Sequence, residues 1–271
     1  MNTEHAIPAP LPGALDRRQI LAQLESTRQP APTLRIEREV DSTNAHLARL
    51  HAAGEKIDVL LAEAQSAGRG RRGRQWISPQ GCGLYLSMQR SFAGPLRRLE
   101  ALSLVAGLSA AAAIERCCGL RPGLKWPNDL QIEGRKLGGC LIDLAGNRQT
   151  SSAIIGIGIN VDFRGQTGPD QPWTDLAAAS GQPVDRNRLA GHLIEQLIDD
   201  LDQFELSGFG AMKDRWTSHD VLTGRAIEAH SHGQPVIRGQ ALGVDESGQL
   251  LVRTPDRLHR LHGAEVTLRT A

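Results

Sequence analysis

Apolar residues recur along this chain at two periods. Short runs that alternate or are unbroken mark strands: LRIEREV from Leu34, DVLLAEAQ from Asp58 and GLYLSMQ from Gly83. Two longer stretches follow, LKWPNDLQIEGRKLGGCLIDLAG and SAIIGIGINVDF, in which β-branched residues are broken by Pro-Asn-Asp, Glu-Gly-Arg and Gly-Asn turns. Helical periods lie between and after them. DSTNAHLARLHAAG reads as a helix whose first-turn N–H groups Asp41 or Ser42 can accept and whose far end Gly54 can close. A long helix is predicted over Leu96–Cys118, apolar on most faces and stopped by Gly119, with Leu102, Val105, Leu108 and Ile114 in its core. Leu189, Leu193, Leu197 and Leu201, beside Ile194 and Ile198, give an amphipathic helix, and Asp199, Asp200 and Asp202 are expected on its solvated face.

After Trp216 the texture changes to short alternating strands separated by SHGQP, DESGQ and TPDR, the spacing of a small β-barrel. The boundary is placed at 217–224. This gives three parts: an extension over 1–32, a main domain over 33–220 and a C-terminal β domain over 221–271. The first part is rich in proline and polar residues, with one short helical pattern around Ile20, Leu21 and Leu24, and is expected to be a flexible, loosely attached extension.

Charge and cysteine content narrow the class. Thirty-one Lys plus Arg against 30 Asp plus Glu leave a net charge of +1, so any attraction for polyanions is local and not a field of the whole protein. Cys82, Cys117, Cys118 and Cys140 have no paired spacing and read as thiols of a reducing compartment. The N-terminus lacks a basic region followed by an apolar one, and the run LSLVAGLSAAAAI is too short to cross a bilayer, so a cytoplasmic protein without a membrane partner is expected.

The candidate chemistry is concentrated in three places. GRGRRGRQW, 68–76, holds four arginines and three glycines in nine residues. Glycine lets a ligand approach the backbone N–H groups, and arginine supplies permanent charge in a planar fork suited to phosphate and carboxylate. A short Arg-Gly loop between strands fits a small anionic ligand better than the long disordered tracts that bind RNA. KWPNDL sets Asn128 and Asp129 in a turn at a strand end, where they either build the turn or face a ligand. GRKLGG places Lys136 at the start of the next strand, with Gly138 and Gly139 inside it; glycine weakens a strand unless something packs closely there. GIGIN closes an apolar strand with Asn160.

Taken in order, DSTN, AEAQSAGRGRRGRQW, GLYLSM, KWPNDL, GRKLGGCLID and GIGINV, followed by the small β domain, resemble the biotin-protein ligases over about Leu34 to Leu268. The resemblance implies an α+β fold: a mixed β-sheet packed with helices, like the class II aminoacyl-tRNA synthetase core, plus an SH3-like barrel. It implies formation of biotinyl-5'-AMP from biotin and ATP with Mg2+, then transfer to a lysine of the biotin carboxyl carrier protein of acetyl-CoA carboxylase. Biotin would bind first.

Residue by residue, the resemblance gives Ser42, Thr43, Asn44, Gln65, Arg69, Gly70, Arg71, Lys136 and Gly138 as biotin contacts. Arg72, Arg74, Trp76, Asn128, Asp129 and Asn160 fall to ATP, with Asp129 also for Mg2+. Lys136, Arg69 and Arg71 would be catalytic. About 32 residues before the main domain are too few for a winged-helix DNA-binding domain, so no DNA partner and no repressor role are expected. Both a monomer and a homodimer stay open.

Two other functions compete. Lipoate-protein ligases share the adenylation logic, and a nucleic-acid-binding protein could use the Arg-Gly loop, although one Tyr, four Phe and four Trp offer little for base stacking. His230 with His232, and His259 with His262, have no nearby cysteine or acidic pair that completes a metal site and read as surface histidines.

Overall fold

The computed structural model describes residues 13–24, 30–166, 168, 171–231, 234–263 and 266–270, which leaves His232 outside the described residues. Seven strands, β1 (Leu34–Val40), β2 (Val59–Gln65), β3 (Gly83–Ala93), β4 (Gly123–Lys125), β5 (Asp129–Ile132), β6 (Arg135–Gly146) and β7 (Thr150–Asn160), form one mixed sheet in the order β1-β2-β3-β7-β6-β5-β4. Only the β1–β2 pair is parallel. Parallel neighbours need a crossover, and a helix between them supplies it.

The helices are α1 (Arg17–Leu21), α2 (Thr43–Ala52), α3 (Leu102–Cys118), α4 (Leu176–Ser180), α5 (Arg186–Ser207) and α6 (Lys213–Thr217). Alternation along β2 shows how they cover the sheet. Val59 and Leu61 belong to the large core with α3 and α5, whereas Leu60 packs with Leu47 and Leu50 of the crossover helix α2. On β7, Ile155, Ile157 and Ile159 point into the large core, and burial of each contributes about 1.5–3 kcal/mol. The intervening Gly156 and Gly158 therefore lie on the α2 face.

A second sheet follows, of β8 (Ala226–Ser231), β9 (Ile237–Val244), β10 (Leu250–Arg253), β11 (Leu258–Leu261) and β12 (Val266–Thr270), in the order β11-β10-β9-β8-β12. It is a small antiparallel unit consistent with the expected SH3-like domain. It docks on the main sheet through Trp126, a buried side chain whose Nε1 donates to the Gly248 carbonyl at 3.0 Å.

Four expectations change. The stretch Leu96–Cys118 breaks into a 3-10 turn, Leu96–Leu99, and then α3; it has the length and apolarity of a membrane span, but 67% of that window is buried within the protein, as befits a core helix. Asp200 is not on a solvated face: it is buried, accepting from Ser109 Oγ at 2.7 Å and Arg215 Nη2 at 2.6 Å. The cap of α2 is not made by the Ser42 side chain; Gln65 Oε1 accepts from the Thr43 N–H at 2.8 Å instead.

The fourth change concerns the N-terminal extension: its residues 13–24 are docked on the main domain, while 1–12 and 25–29 lie outside the described residues. Ile20 is fully buried and Leu15 nearly so, and α1 packs on α5. Leu15 N donates to Glu63 Oε1 at 2.6 Å, and Arg186 Nη2 donates to the Gly13 carbonyl at 2.7 Å.

Candidate active site

The arginine loop folds as a closed ring. Trp76 N donates to the Gly68 carbonyl at 2.9 Å, Gly70 N donates to the Arg74 carbonyl at 2.7 Å, and Arg69 pairs with Gln75 between them. The tip turns through Arg72 and Gly73, at φ 57° and 71°. Left-handed backbone is easy for Gly73 and costs Arg72 about 1–2 kcal/mol. Gly68 allows the ring to close, since a Cβ there would lie 2.3 Å from the Trp76 carbonyl oxygen.

This ring covers a cavity of about 230 Å³ on the α2 face of the sheet. Its floor is β6 and β7. Register pairs Gly139 with Gly158 and Leu141 with Gly156, so these four share one face. The two β7 glycines make room for two of the predicted site residues. A Cβ on Gly156 would lie 2.3 Å from Asn44 Oδ1, and one on Gly158 would lie 2.6 Å from Trp76 Nε1.

Every predicted site residue except Gly138 lines this cavity. Gly138 instead lies opposite Leu130 and Ile159 on the core face of the sheet, where a Cβ would meet the Gly158 carbonyl oxygen at 2.6 Å; it permits close strand packing and does not line the cavity. Gly139 is the glycine of that pair that lines the wall.

At one end of the cavity the polar groups hold each other. Gln65 Oε1 accepts from Thr43 N and, at 3.2 Å, from Thr43 Oγ1, while its Nε2 donates to Ser78 Oγ at 2.8 Å. Asn44 Oδ1 accepts from Ser87 Oγ at 2.6 Å, and Asn44 Nδ2 donates to the Leu141 carbonyl at 3.2 Å and to Asp143 Oδ2 at 3.0 Å. The same Asp143 oxygen accepts from Arg69 Nη1 at 3.1 Å, tying the loop to the shelf made by the start of α2. Such a shelf of short, locked polar side chains can read a compact polar ring system.

At the other end lies the charged centre. Lys136 Nζ is 2.6 Å from Asp129 Oδ1 and 5.6 Å from the centre of the Trp76 ring, and the backbone of Lys136 is fixed on both sides, its N–H to the Pro172 carbonyl and its carbonyl to Thr174 N–H, each at 2.9 Å. Arg71 bridges outward, donating to Asn128 Oδ1 at 3.1 Å and to the Gly263 carbonyl of the C-terminal domain. Burial lowers its pKa from the ordinary arginine value, and the neighbouring Arg72 and Arg74 act in the same direction. Asn160 Nδ2 donates to the Thr174 carbonyl at 2.9 Å, which holds the segment carrying Trp173 against the cavity. Trp76 Nε1 is buried without an acceptor among the described residues.

The cavity also contains residues that the sequence reading did not assign to the site. Phe163 and Trp173 line it as a tilted pair 5.4 Å apart, and Leu268 enters from the C-terminal sheet. Cys140 borders it too, but belongs to the core, and burial pushes its thiol up to about 12, so it stays neutral and unreactive near neutral pH. Lys125 completes the cationic lining.

Known proteins match both parts of the chain. Residues 36–160 match the biotin/lipoate A/B protein ligase family, and residues 222–269 match the biotin protein ligase C-terminal domain. The bifunctional ligase/repressor BirA of Escherichia coli (strain K12) is 35% identical over 98% of this chain and 82% of its own length. The biotin--[acetyl-CoA-carboxylase] ligase of Paracoccus denitrificans is 31% identical over 83% of this chain and 96% of its own. Among solved structures, the biotin protein ligase of Aquifex aeolicus in complex with biotin and ATP superposes with a TM-score of 0.76 at 30% identity, covering 88% of this chain and 99% of that one. With the closed arginine loop, the Lys136–Asp129 centre and the docked C-terminal sheet all in place, the chain belongs to the biotin protein ligase family.

Proposed function

We propose that this protein joins biotin to ATP as biotinyl-5'-AMP and then transfers the biotinyl group to a lysine of the biotin carboxyl carrier protein of acetyl-CoA carboxylase. One observation carries this reading: a single cavity has a shelf of locked polar groups at one end, a lysine–aspartate centre at the other and an arginine ring over the top. Residues 33–220 would do the chemistry, with 221–271 closing one side through Leu268 and the Gly263 carbonyl. Four free cysteines suit a reducing cytoplasm.

The first step brings two anions together. A carboxylate oxygen of biotin bonds to the α-phosphorus, the bond to the β-phosphate oxygen breaks, and its electron pair leaves with pyrophosphate. No covalent nucleophile of the protein is required. Lys136 and the loop arginines offset the charge on the acid and the α-phosphate, and placement of the two reactants does the rest. The unmet Trp76 N–H is a donor available to a ligand acceptor.

Among the described residues no group of three His, Cys, Asp or Glu side chains is arranged to hold a metal. Among the described lining residues Asp129 alone offers the cavity a carboxylate oxygen beyond the one bound to Lys136, and a single carboxylate suits Mg2+ carried on substrate phosphates better than a cage made wholly of protein. Asp129 is therefore the residue that would hold Mg2+, whose role when bound is to neutralise phosphate charge.

Purified protein with Mg-ATP should exchange labelled pyrophosphate into ATP when biotin is added and not when lipoate is added. Exchange with lipoate alone would move the substrate to the other acid of the family, and exchange with neither in folded protein would overturn the ligase reading. A carrier-protein domain should then acquire biotin only if its acceptor lysine is intact.

The glycines of β7 give a second test. Gly158→Ala should push the Trp76 ring off the floor and lower exchange by about tenfold, with folding retained and tryptophan fluorescence altered. Unchanged exchange in a folded variant would show that the position of Trp76 does not matter.

A further inference from the structure

The arginine ring is held down on two sides. On one, Arg71 donates to Asn128 Oδ1 at 3.1 Å and to the Gly263 carbonyl. On the other, Arg69 reaches Asp143 with both ends of its guanidinium, Nη1 to Oδ2 at 3.1 Å and Nη2 to Oδ1 at 3.4 Å. Asp143 itself does not line the cavity. Gly139, Leu141 and Asp143 alternate along β6 onto one face, and the first two do line it, so Asp143 stands at the rim.

The sheet and α2 orient this carboxylate independently of the loop. Its Oδ2 also accepts from Asn44 Nδ2 at 3.0 Å, and Asn44 is 3% exposed, bonded in addition to Ser87 Oγ and the Leu141 carbonyl in the space that Gly156 leaves for it. A buried, fully bonded amide thus sets the acid, and the acid receives the arginine. The strength of the pair suits a reversible contact. The Arg69 side chain is 49% exposed and that of Asp143 37%, so solvent and salt screen their attraction, which can hold a loop in place and still release it in each turnover.

We propose that Asp143 is a positioning residue: through Arg69 it keeps the arginine ring closed over biotinyl-5'-AMP, and so sets how long the adenylate stays on the protein before an acceptor lysine takes the acyl group. This inference rests on the adenylation reading above. A mixed anhydride is open to attack by water once released, so a longer closed time favours transfer over escape and hydrolysis.

The test follows release of preformed biotinyl-5'-AMP from wild type, Asp143→Asn and Asp143→Glu in a chase experiment at low and high salt. Asparagine keeps an oxygen for Asn44 but loses the charge that Arg69 pairs with, so release from Asp143→Asn at low salt should quicken by about twofold to fivefold, the scale of one partly exposed ion pair. Raising the salt should quicken release from wild type more than from Asp143→Asn, because only the former has this pair to screen. Asp143→Glu should restore most of the slow release, and all three proteins should melt at the same temperature. The proposal is overturned if Asp143→Asn releases the adenylate at the wild-type rate at low salt, or if faster release comes with a lowered melting temperature and an unchanged salt dependence, as a purely structural role through Asn44 would cause. A folded wild type that does not bind biotinyl-5'-AMP would overturn the adenylation reading itself, and this inference with it.

Discussion

Lys136→Ala should reduce biotin-dependent ATP–pyrophosphate exchange by about 10²–10³-fold, the scale of removing one preorganised charge donor from a developing anion. Two features make Lys136 the most sensitive position. Its amine is held at 2.6 Å from Asp129 and over the Trp76 ring, and its backbone is pinned by the Pro172–Thr174 segment, so the charge does not have to be reorganised during the reaction. Removing it also leaves the Asp129 carboxylate unmatched, facing two incoming anions, which adds repulsion to the loss of attraction. Exchange within tenfold of wild type in a folded Lys136→Ala protein would remove Lys136 from the chemistry.

The sequence made the chemistry more legible than the architecture that supports it. Strands such as β2 and β7 were readable because burial on the core face leaves a regular apolar signal, and the ligand loop was readable because four arginines in nine residues have few other uses. The reason for Gly156 and Gly158 was hidden. Each makes space for a side chain from a distant segment, Asn44 and Trp76, and no local period encodes such a contact. Gly138 and Gly139 show the same difficulty at closer range: two adjacent glycines look alike in sequence, but only the pleat decides which one faces the ligand. Asp200 was misplaced because three neighbouring acids of α5 share a composition, whereas its partner Arg215 comes from the later helix α6.

The N-terminal segment is the clearest case, and it carries the largest expected effect on stability. Proline and polar content masked two apolar anchors, Leu15 and Ile20, and a buried ion pair on which they close. Arg186 Nη1 lies 2.7 Å from Glu63 Oε2 with both side chains almost wholly enclosed, and Arg186 also donates to the Gly83 carbonyl at the start of β3. Glu63 in turn receives the Leu15 N–H, so one carboxylate joins β2, β3, α5 and the N-terminal segment. Arg186→Met should cost about 3–5 kcal/mol, because it strands a buried carboxylate, and lower the melting temperature by about 10 °C.

Glu63→Gln in the same chain should return much of that loss, since two neutral side chains of similar shape avoid the stranded charge. Protease cleavage within residues 13–24 should quicken in the single variant and slow again in the double one. Because Glu63 lies two residues before Gln65 on β2, the single variant should also raise the KM for biotin, whereas a segment that merely decorates the surface would leave stability, cleavage and biotin affinity at wild-type values.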